Sequence, residues 1–338
     1  MYYFSEVVFI LRYANFIRHI FYVRYLLEYF EIYIMRQIDS TVDELVLLPF
    51  YDIVSSPMNY IGGKYKLLPQ ILPMIPKNIN VFVDLFCGGC NVGINVEANR
   101  IIFNDNLTYL IDLYRLLYSL PKDEILNHIR NRILEFGLSL TNNEGYVLLR
   151  ELYNTKRNPL DLFVLVAFSF NHQIRFNSAH EFNNPFGKKR SAYNSRMEKN
   201  LIAFINKLQS RDVSFLCFNF DEFDFSGLSI NDYVYCDPPY LITTGSYNDG
   251  KRGFTGWNRF HELKLLAILD ELNTRGVRFS LSNVLKHKGS CNTVLCDWLD
   301  SRDYYVHHLC KDYSNSSYNL KNRCDTETDE VLITNYTC

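Results

Sequence analysis

Short apolar runs recur along the chain, and most of them end at a polar or acidic residue. They include "NVFVD" (80–84), "RIIFND" (100–105), "VYCD" (234–237) and "VRFSLSN" (277–283). Continuous apolar runs of this length, bounded by turn residues, are typical of strands buried on both faces of a parallel sheet. The run "DEVLITNY" (329–336) predicts a last strand, at the sheet edge or antiparallel to its neighbours. The pattern predicts an α/β fold.

Helical spacing of apolar residues marks other segments. Residues 113–212 are mostly helical by this criterion, and Pro159 suits the start of a helix. A further amphipathic helix, "FHELKLLAILDELNTRG", is expected to end at Gly276. The 144 residues between Gly93 and Asp237 far exceed a simple crossover between parallel strands. We therefore expect an additional structural unit there.

The first of these strands leads into a glycine-rich turn. In "INVFVDLFCGGCNVGIN" (79–95), Asp84 ends the apolar run and Gly88 and Gly89 follow. A strand, a glycine turn and a helix let the backbone approach a nucleotide-like ligand. About twenty residues later, Asp105 lies where an acid would reach a ribose hydroxyl. The G-x-G-x-x-G of nicotinamide and flavin sites is missing, and an ordinary turn with an incidental acid is the alternative.

The segment "VYCDPPYL" (234–241) holds one carboxylate and one aromatic ring in a rigid frame. Pro238 and Pro239 have fixed φ and no N–H, so neither a strand nor a helix can continue through them. Asp237 and Tyr240 are therefore displayed at the end of a strand. A turn that merely terminates the strand is the alternative. The Gly-, Asn- and Ser-rich residues 241–257 predict a long mobile loop beside this segment.

Charge is unevenly distributed along the chain. The net charge of the 338 residues is −2, which excludes a uniformly basic surface. Residues 171–211 nevertheless carry eight basic and two acidic residues, a local charge of +6, with Phe and Tyr interleaved. This composition predicts a patch that binds nucleic-acid phosphates. For the lysines after position 196, a solvated helix face is the alternative.

The cysteines and the amino-terminal segment bear on location. Nine cysteines at irregular spacing, without a secretion signal, favour a reducing compartment, so we expect a cytoplasmic, nucleoid-associated protein. Cys87 and Cys90 have no second pair, which disfavours zinc. Residues 1–57 are rich in Tyr and Phe, but charged residues interrupt every candidate membrane span. They are either a helix packed on the main body or upstream sequence translated ahead of a true start at Met58.

Several separated motifs together resemble the Dam-type adenine-specific DNA methyltransferases. They are "NYIGGKYKLLPQ", "FVDLFCGG" with "FNDN", "NHQIRFNSAHEFNNPFGKKRS", "YCDPPY" and "DEVLITNY", which span about residues 58–336. The resemblance implies a Rossmann-like fold that binds S-adenosylmethionine, with a mainly helical DNA-recognition domain inserted. It implies a catalytic domain of residues 58–112 and 213–338, an inserted target-recognition domain of residues 113–212, and an extension of unclear role over residues 1–57.

Matching these motifs residue by residue identifies the expected site. One departure is that the family pattern Phe-x-Gly-x-Gly ends here in Cys90. The residues expected to act in catalysis are Asp237, Pro238, Pro239 and Tyr240. Those expected to bind the cofactor are Tyr60, Gly62, Gly63, Lys64, Asp84, Phe86, Gly88, Asp105, Phe220, Asp221 and Asp237. Those expected to bind DNA are Arg175, Asn177, Asn183, Lys188, Lys189 and Arg190.

The same resemblance implies methyl transfer to the N6 amine of a flipped-out adenine in duplex DNA. Asp237 and the Pro238 carbonyl would accept the two amine hydrogens, and Tyr240 would stack on the base, with no metal required. We expect a monomer paired functionally with a restriction endonuclease, and no membrane partner. The alternatives are a DNA-binding protein with a vestigial cofactor pocket, transfer to cytosine N4, and methylation of RNA or protein.

Overall fold

The structure is a computed structural model that describes residues 53–60, 62–243, 256–310 and 328–338. The predictions for the amino-terminal extension therefore lie almost entirely outside the described residues, as does most of the loop predicted after Tyr240.

A mixed sheet runs through the centre of the described residues. Its strand order is β3-β2-β1-β4-β5-β8-β7, with β6 paired to β5. The bounds are β1 Ile79–Asp84, β2 Ala98–Asn104, β3 Val213–Leu216, β4 Tyr233–Cys236, β5 Arg278–His287, β6 Ser290–Cys291, β7 Tyr305–Leu309 and β8 Thr328–Thr334. Neighbours from β3 to β5 are parallel, whereas β8 runs antiparallel to both β5 and β7. The predicted α/β fold is confirmed, and its mostly parallel sheet is consistent with an S-adenosylmethionine methyltransferase fold.

Helices fill the connections between the strands. Their bounds are α1 Leu68–Ile71, α2 Thr108–Ser119, α3 Lys122–Glu135, α4 Asn143–Lys156, α5 Pro159–Phe168, α6 Ser195–Gln209, α7 Arg259–Thr274 and α8 Thr293–Asp300. Pro159 is the first residue of α5, and the side chain of Asn158 caps that helix by accepting the Leu160 N–H. The chain leaves α7 through Gly276, whose φ of +74° is accessible to glycine at little cost. Helices therefore occupy most of residues 113–212, as predicted.

Both faces of the sheet are buried, and successive side chains of a strand enter opposite faces. In β4, Tyr233 and Tyr235 point into one apolar cluster, and Val234 and Cys236 point into the other. Helices α2 to α6 share the first cluster with the sheet; Tyr114 of α2, for example, stacks on Phe215 of β3 at 6.1 Å between ring centres. Helices α7 and α8 pack on the second. The two layers leave the carboxyl ends of β1 and β4 side by side.

Candidate active site

The turn after β1 is held by a buried carboxylate. Asp105, just beyond β2, accepts the Gly88 N–H at 2.9 Å and the Leu107 N–H at 2.9 Å. The Tyr114 hydroxyl donates to the Gly88 carbonyl at 2.8 Å. Gly88 has a φ of +43°, and a Cβ there would lie 2.8 Å from the Tyr60 ring. Only glycine fits between this backbone and this ring, so the structure brings Tyr60, Gly88 and Asp105 together.

Cys90 takes the backbone conformation of the glycine that the family pattern has at this position. Its φ is +57°, in the left-handed region, and its side chain is fully buried. A non-glycine residue there costs on the order of 1 kcal/mol. The turn thus keeps a glycine-like path despite the substitution, and burial raises the pKa of the Cys90 thiol. A reactive thiolate is therefore disfavoured at this turn.

Asp84 lies behind the same turn. Its side chain is buried and accepts the Gly93 N–H at 3.0 Å. Burial raises the pKa of Asp84 to about 7, and the Gly93 hydrogen bond opposes part of that shift. The negative charges of Asp237 and Asp105 raise it further. Asp84 therefore changes charge near neutral pH.

The "DPPY" segment begins where β4 ends. Lys64, from the segment that precedes β1, contacts its aspartate. The Lys64 Nζ is 2.7 Å from Asp237 Oδ1 and 2.8 Å from Oδ2, and it also donates to the Gly62 carbonyl at 3.1 Å. The Lys64 side chain is only 4% exposed, whereas that of Asp237 is 18% exposed. Gly63 closes the adjacent turn by donating its N–H to the Tyr60 carbonyl at 3.2 Å. Lys64 therefore holds the Asp237 carboxylate in place through a largely buried ion pair.

A second carboxylate completes this group, and the sequence reasoning missed it. The Tyr240 hydroxyl donates to Glu330 Oε1 at 3.0 Å and to Asp237 Oδ1 at 3.2 Å. Glu330 lies on β8, is 3% exposed, and has Oε1 3.6 Å from the Lys64 Nζ. The Lys64 ammonium also lies 5.0 Å from the centre of the Tyr240 ring. These side chains form one group, the catalytic cluster, named for the predicted catalytic residues Asp237 and Tyr240. Its members are Lys64, Asp237, Tyr240 and Glu330.

The pKa of Asp237 in the catalytic cluster depends on burial and on its two charged neighbours, Lys64 and Glu330. Removal from water raises the pKa of Asp237, and the charge and hydrogen bonds of Lys64 oppose that shift. The negative charge of Glu330 raises the pKa of Asp237, whereas the Tyr240 hydrogen bond lowers it. Asp237 is therefore a better proton and hydrogen-bond acceptor than an aspartate in water.

Aromatic side chains line the region beside the glycine turn. The Phe86 ring lies 5.6 Å from Phe220 and 5.7 Å from Trp257, measured between ring centres. The structure thus places Phe86 and Phe220 together, as a shared ligand requires. Asp221 is exposed and pairs with Lys264 of α7 at 2.5 Å. Lys264 contacts the Oδ2 atom of Asp221, so a cofactor hydroxyl would bind the other oxygen or share this one.

The predicted DNA-binding residues lie on a hairpin and on the turn that follows it. Bridges pair Phe176 with Phe182 and Ser169 with Phe186. Asn154 of α4 anchors this hairpin, because its side chain accepts the Phe182 N–H at 2.8 Å and donates to the Phe182 carbonyl at 3.1 Å. The hairpin therefore has a fixed position on the helices.

Within the hairpin the predicted residues differ in availability. Arg175 is exposed, and its carbonyl accepts the Asn183 N–H at 3.0 Å. The Asn177 side chain instead bonds Glu181, donating to its carboxylate and accepting its N–H, both at 2.9 Å. Lys188, Lys189 and Arg190 form an exposed turn. Arg175 and the basic turn are thus accessible to a ligand, whereas Asn177 shapes the hairpin.

A comparison with known families decides the class of the chain. The model of the D12 class N6 adenine-specific DNA methyltransferases matches residues 60–326, a range that contains the glycine turn, the hairpin and the "DPPY" segment. The chain belongs to this family. The predicted relationship to the Dam-type enzymes is confirmed.

Individual relatives of this D12-class chain carry names from restriction-modification systems. The chain is 54% identical to the modification methylase StsI of Streptococcus sanguinis and 53% identical to the type II methyltransferase M.FokI of Planomicrobium okeanokoites. Each match covers 84% of this chain and 43% of the relative, so the chain spans less than half the length of these two proteins. It is also 29% identical to the DNA adenine methylase of Salmonella typhi, over 67% of this chain and 79% of that protein.

In the described part of this D12-class chain, His, Cys, Asp and Glu side chains form no group of three or more that could hold a metal ion. No helix in the same residues is long and apolar enough to cross a bilayer. The catalytic cluster and the glycine turn are thus the features around which a function can be argued.

Proposed function

We propose that the chain is a DNA (adenine-N6)-methyltransferase that uses S-adenosylmethionine. The observation that carries this proposal is that the glycine turn and the hydrogen-bonded pair Asp237 and Tyr240 follow the carboxyl ends of two adjacent parallel strands in a D12-class chain. Ligands of open α/β sheets bind at such an edge. Because two relatives are named as modification methylases or type II methyltransferases, we also propose a functional pairing with a restriction endonuclease.

The residues at the turn fit the proposed cofactor. A Cβ on Gly88 would meet the Tyr60 ring at 2.8 Å and one on Gly89 would meet the Asn91 side chain at 3.0 Å, so the two glycines let these side chains pack directly on the turn. Tyr60, Phe86 and Phe220 would contact the apolar parts of S-adenosylmethionine, and Asp105 would bind its hydroxyls. When bound, the cofactor supplies an electrophilic methyl group on a positively charged sulfur. The buried carboxylates Asp84 and Asp105 suit that positive charge.

The chemistry that we propose requires an acceptor for the amine hydrogens. The lone pair of an adenine N6 is delocalised into the ring, so the amine is a weak nucleophile. Hydrogen bonds to Asp237 and to the Pro238 carbonyl would hold the nitrogen in a more pyramidal form. Methylation of N6 would release one of its protons, and the raised pKa of Asp237 suits this carboxylate as the acceptor.

The remaining residues of the segment hold the base in place. Tyr240 would stack on the flipped adenine and replace part of the stacking lost from the duplex. Its hydroxyl is bound at both carboxylates of the catalytic cluster, which fixes the plane of the ring before the base arrives. Pro238 and Pro239 restrict the backbone, because displacement reactions are sensitive to small misplacements.

DNA recognition is assigned to the helical segment and its hairpin. We propose that residues 113–212 contact the target duplex, while residues 58–112 and 213–338 hold the cofactor and the catalytic groups. Arg175, Asn177 and Asn183 are proposed to lie near base edges or the gap left by the flipped base, and Lys188 to Arg190 on phosphates. The exposure of Arg175 and of the basic turn supports this division.

The first test is transfer of labelled methyl from S-adenosylmethionine to unmethylated duplex DNA by the 338-residue chain, with identification of the modified base. We expect N6-methyladenine in the duplex, and none in DNA that was fully adenine-methylated beforehand. A folded protein that binds the cofactor but methylates no duplex would overturn the proposal. Methyl groups found only on cytosine, RNA or protein would overturn it as well.

The proposed phosphate contacts predict a specific salt dependence. The double variant Lys188→Gln/Arg190→Gln is expected to raise the Kd for duplex DNA about tenfold at moderate salt and to reduce the slope of log Kd against log salt by about 2. The matched control is Lys77→Gln/Arg100→Gln, which removes the same charges from exposed positions before β1 and near the start of β2. Equal effects of the two variants would exclude a local phosphate site at the basic turn.

A further inference from the structure

Glu330 lies in the catalytic cluster, although the mechanism proposed above does not use it. It is 3% exposed, it accepts the Tyr240 hydroxyl at 3.0 Å, and its Oε1 lies 3.6 Å from the Lys64 Nζ. A buried carboxylate is costly unless its partners compensate for the lost hydration. The cluster thus contains a second acid, Glu330, beside the proposed acceptor Asp237. The contacts of Asp237 indicate a role for it.

The contacts of Asp237 explain what a second acid could do. Both oxygens of Asp237 lie within 2.8 Å of the Lys64 Nζ, and Oδ1 also accepts the Tyr240 hydroxyl. A substrate amine would share the oxygens of Asp237 with these donors, because Lys64 contacts both oxygens and Tyr240 contacts one. Glu330 Oε1 is the carboxylate oxygen toward which the ammonium can shift, because only 3.6 Å separates them. Such a shift would free one side of Asp237 without leaving Lys64 unpaired.

We propose that Glu330 is a positioning residue for methyl transfer, which fixes the Tyr240 hydroxyl and receives the Lys64 ammonium when the substrate amine binds Asp237. This inference rests on the proposed function. Glu330 touches neither substrate nor cofactor in this scheme and acts through two neighbours. Its loss should therefore affect turnover more than cofactor binding.

The same contacts set the expected pH dependence. The ionisable groups around Asp237 are Lys64, Tyr240 and Glu330, together with Asp84 of β1 and with Tyr235 and Cys236 of β4. Removing the charge of Glu330 should lower the pKa of Asp237, because that charge raises it. Removing the Tyr240 hydroxyl should raise the pKa of Asp237, because its hydrogen bond lowers it. The two substitutions should therefore shift the pKa of Asp237 in opposite directions.

The experiment measures kcat against pH at saturating S-adenosylmethionine and duplex DNA. For Glu330→Gln we expect kcat to fall about tenfold, the acid limb to move to lower pH, and the Kd for the cofactor to stay within about twofold. For Tyr240→Phe the acid limb should move to higher pH. Asp329→Asn is the matched control: it removes a carboxylate from the neighbouring position of β8, where Asp329 pairs with His308 at 2.7 Å. Its profile should equal that of the wild type.

Several outcomes would overturn the inference. A folded Glu330→Gln variant with wild-type kcat and an unmoved acid limb would do so, as would a limb that moves in the same direction as in Tyr240→Phe. Weaker cofactor binding with a wild-type kcat at saturation would show a structural role instead. If Glu330→Gln does not fold, Glu330→Asp replaces it: the charge remains but withdraws from Tyr240, so an unchanged kcat overturns the inference. An inactive wild type defeats the proposed function, whereas an active wild type with these results defeats only the role of Glu330.

Discussion

Replacing Asp237 with asparagine is expected to lower kcat for DNA methylation at least about a thousandfold, equivalent to about 4 kcal/mol of transition-state stabilisation. The amide is neutral, and its NH2 group would point a donor at an amine that needs acceptors. Lys64, which now lies within 2.8 Å of both oxygens of Asp237, would be left with Glu330 at 3.6 Å as its carboxylate partner. The substitution therefore removes the acceptor and also disturbs the group that holds it.

The measurement is single-turnover methyl transfer at saturating cofactor, with the Kd for S-adenosylmethionine determined separately. That Kd should change by no more than about tenfold, because the glycine turn and Asp105 are untouched. Asp224→Asn is the control, since this exposed aspartate precedes β4 and accepts the neighbouring Ser226 N–H at 2.9 Å. A variant of Asp237 that keeps more than a tenth of the wild-type kcat would exclude this carboxylate as the principal acceptor.

The parts of the site that the sequence predicts are those carried by local patterns. Asp84 and Asp237 each lie at or just past the end of an apolar run, and the carboxyl ends of parallel strands share one edge of the sheet. The glycine at position 88 and the prolines after Asp237 signal turns by their backbone chemistry alone. These features need no knowledge of strand order, so they can be interpreted from one chain.

Glu330 was missed for the opposite reason. In "DEVLITNY" it is the second of two adjacent acids before an apolar run, and alternation shows only that it shares a face with Leu332. Its approach to Lys64 and Tyr240 depends on β8 inserting between β5 and β7, and this pairing is not encoded in any local pattern. A buried acid in a strand was the available signal, since such residues are rare without a partner.

In the hairpin as well, the sequence does not show which side chains contact each other, although the residues are close in the chain. The family resemblance makes Arg175, Asn177 and Asn183 candidates for DNA contacts, but it does not distinguish them. The structure shows that Asn177 bonds Glu181 across the hairpin, whereas Arg175 is exposed. That difference follows from the turn between the two bridged residues, Phe176 and Phe182, which determines which side chains face each other.

Replacing Lys64 with methionine is expected to destabilise the protein by about 3–5 kcal/mol near pH 8 and to lower kcat more than about a hundredfold. Lys64 is 4% exposed and is the cation of the catalytic cluster, so its loss leaves two buried carboxylates facing each other. The pKa of Asp237, already raised by burial, should then rise further, because the charge of Lys64 is what opposes that shift. A protonated Asp237 would no longer accept both the amine hydrogen and the departing proton.

The sign of the pH dependence separates charge from packing in this variant. A carboxyl whose folded-state pKa lies above its unfolded value binds an extra proton in the folded state, so stability is present at low pH and is lost as the pH rises through the folded pKa. Thermal unfolding at pH 5 and pH 8 should therefore show a larger loss of Tm for Lys64→Met at pH 8. The control is Lys66→Met, two residues away and exposed, which should change Tm little at either pH. An equal loss at both pH values would mean that Lys64 contributes through its aliphatic chain, and the ammonium would then not be what keeps Asp237 ionised.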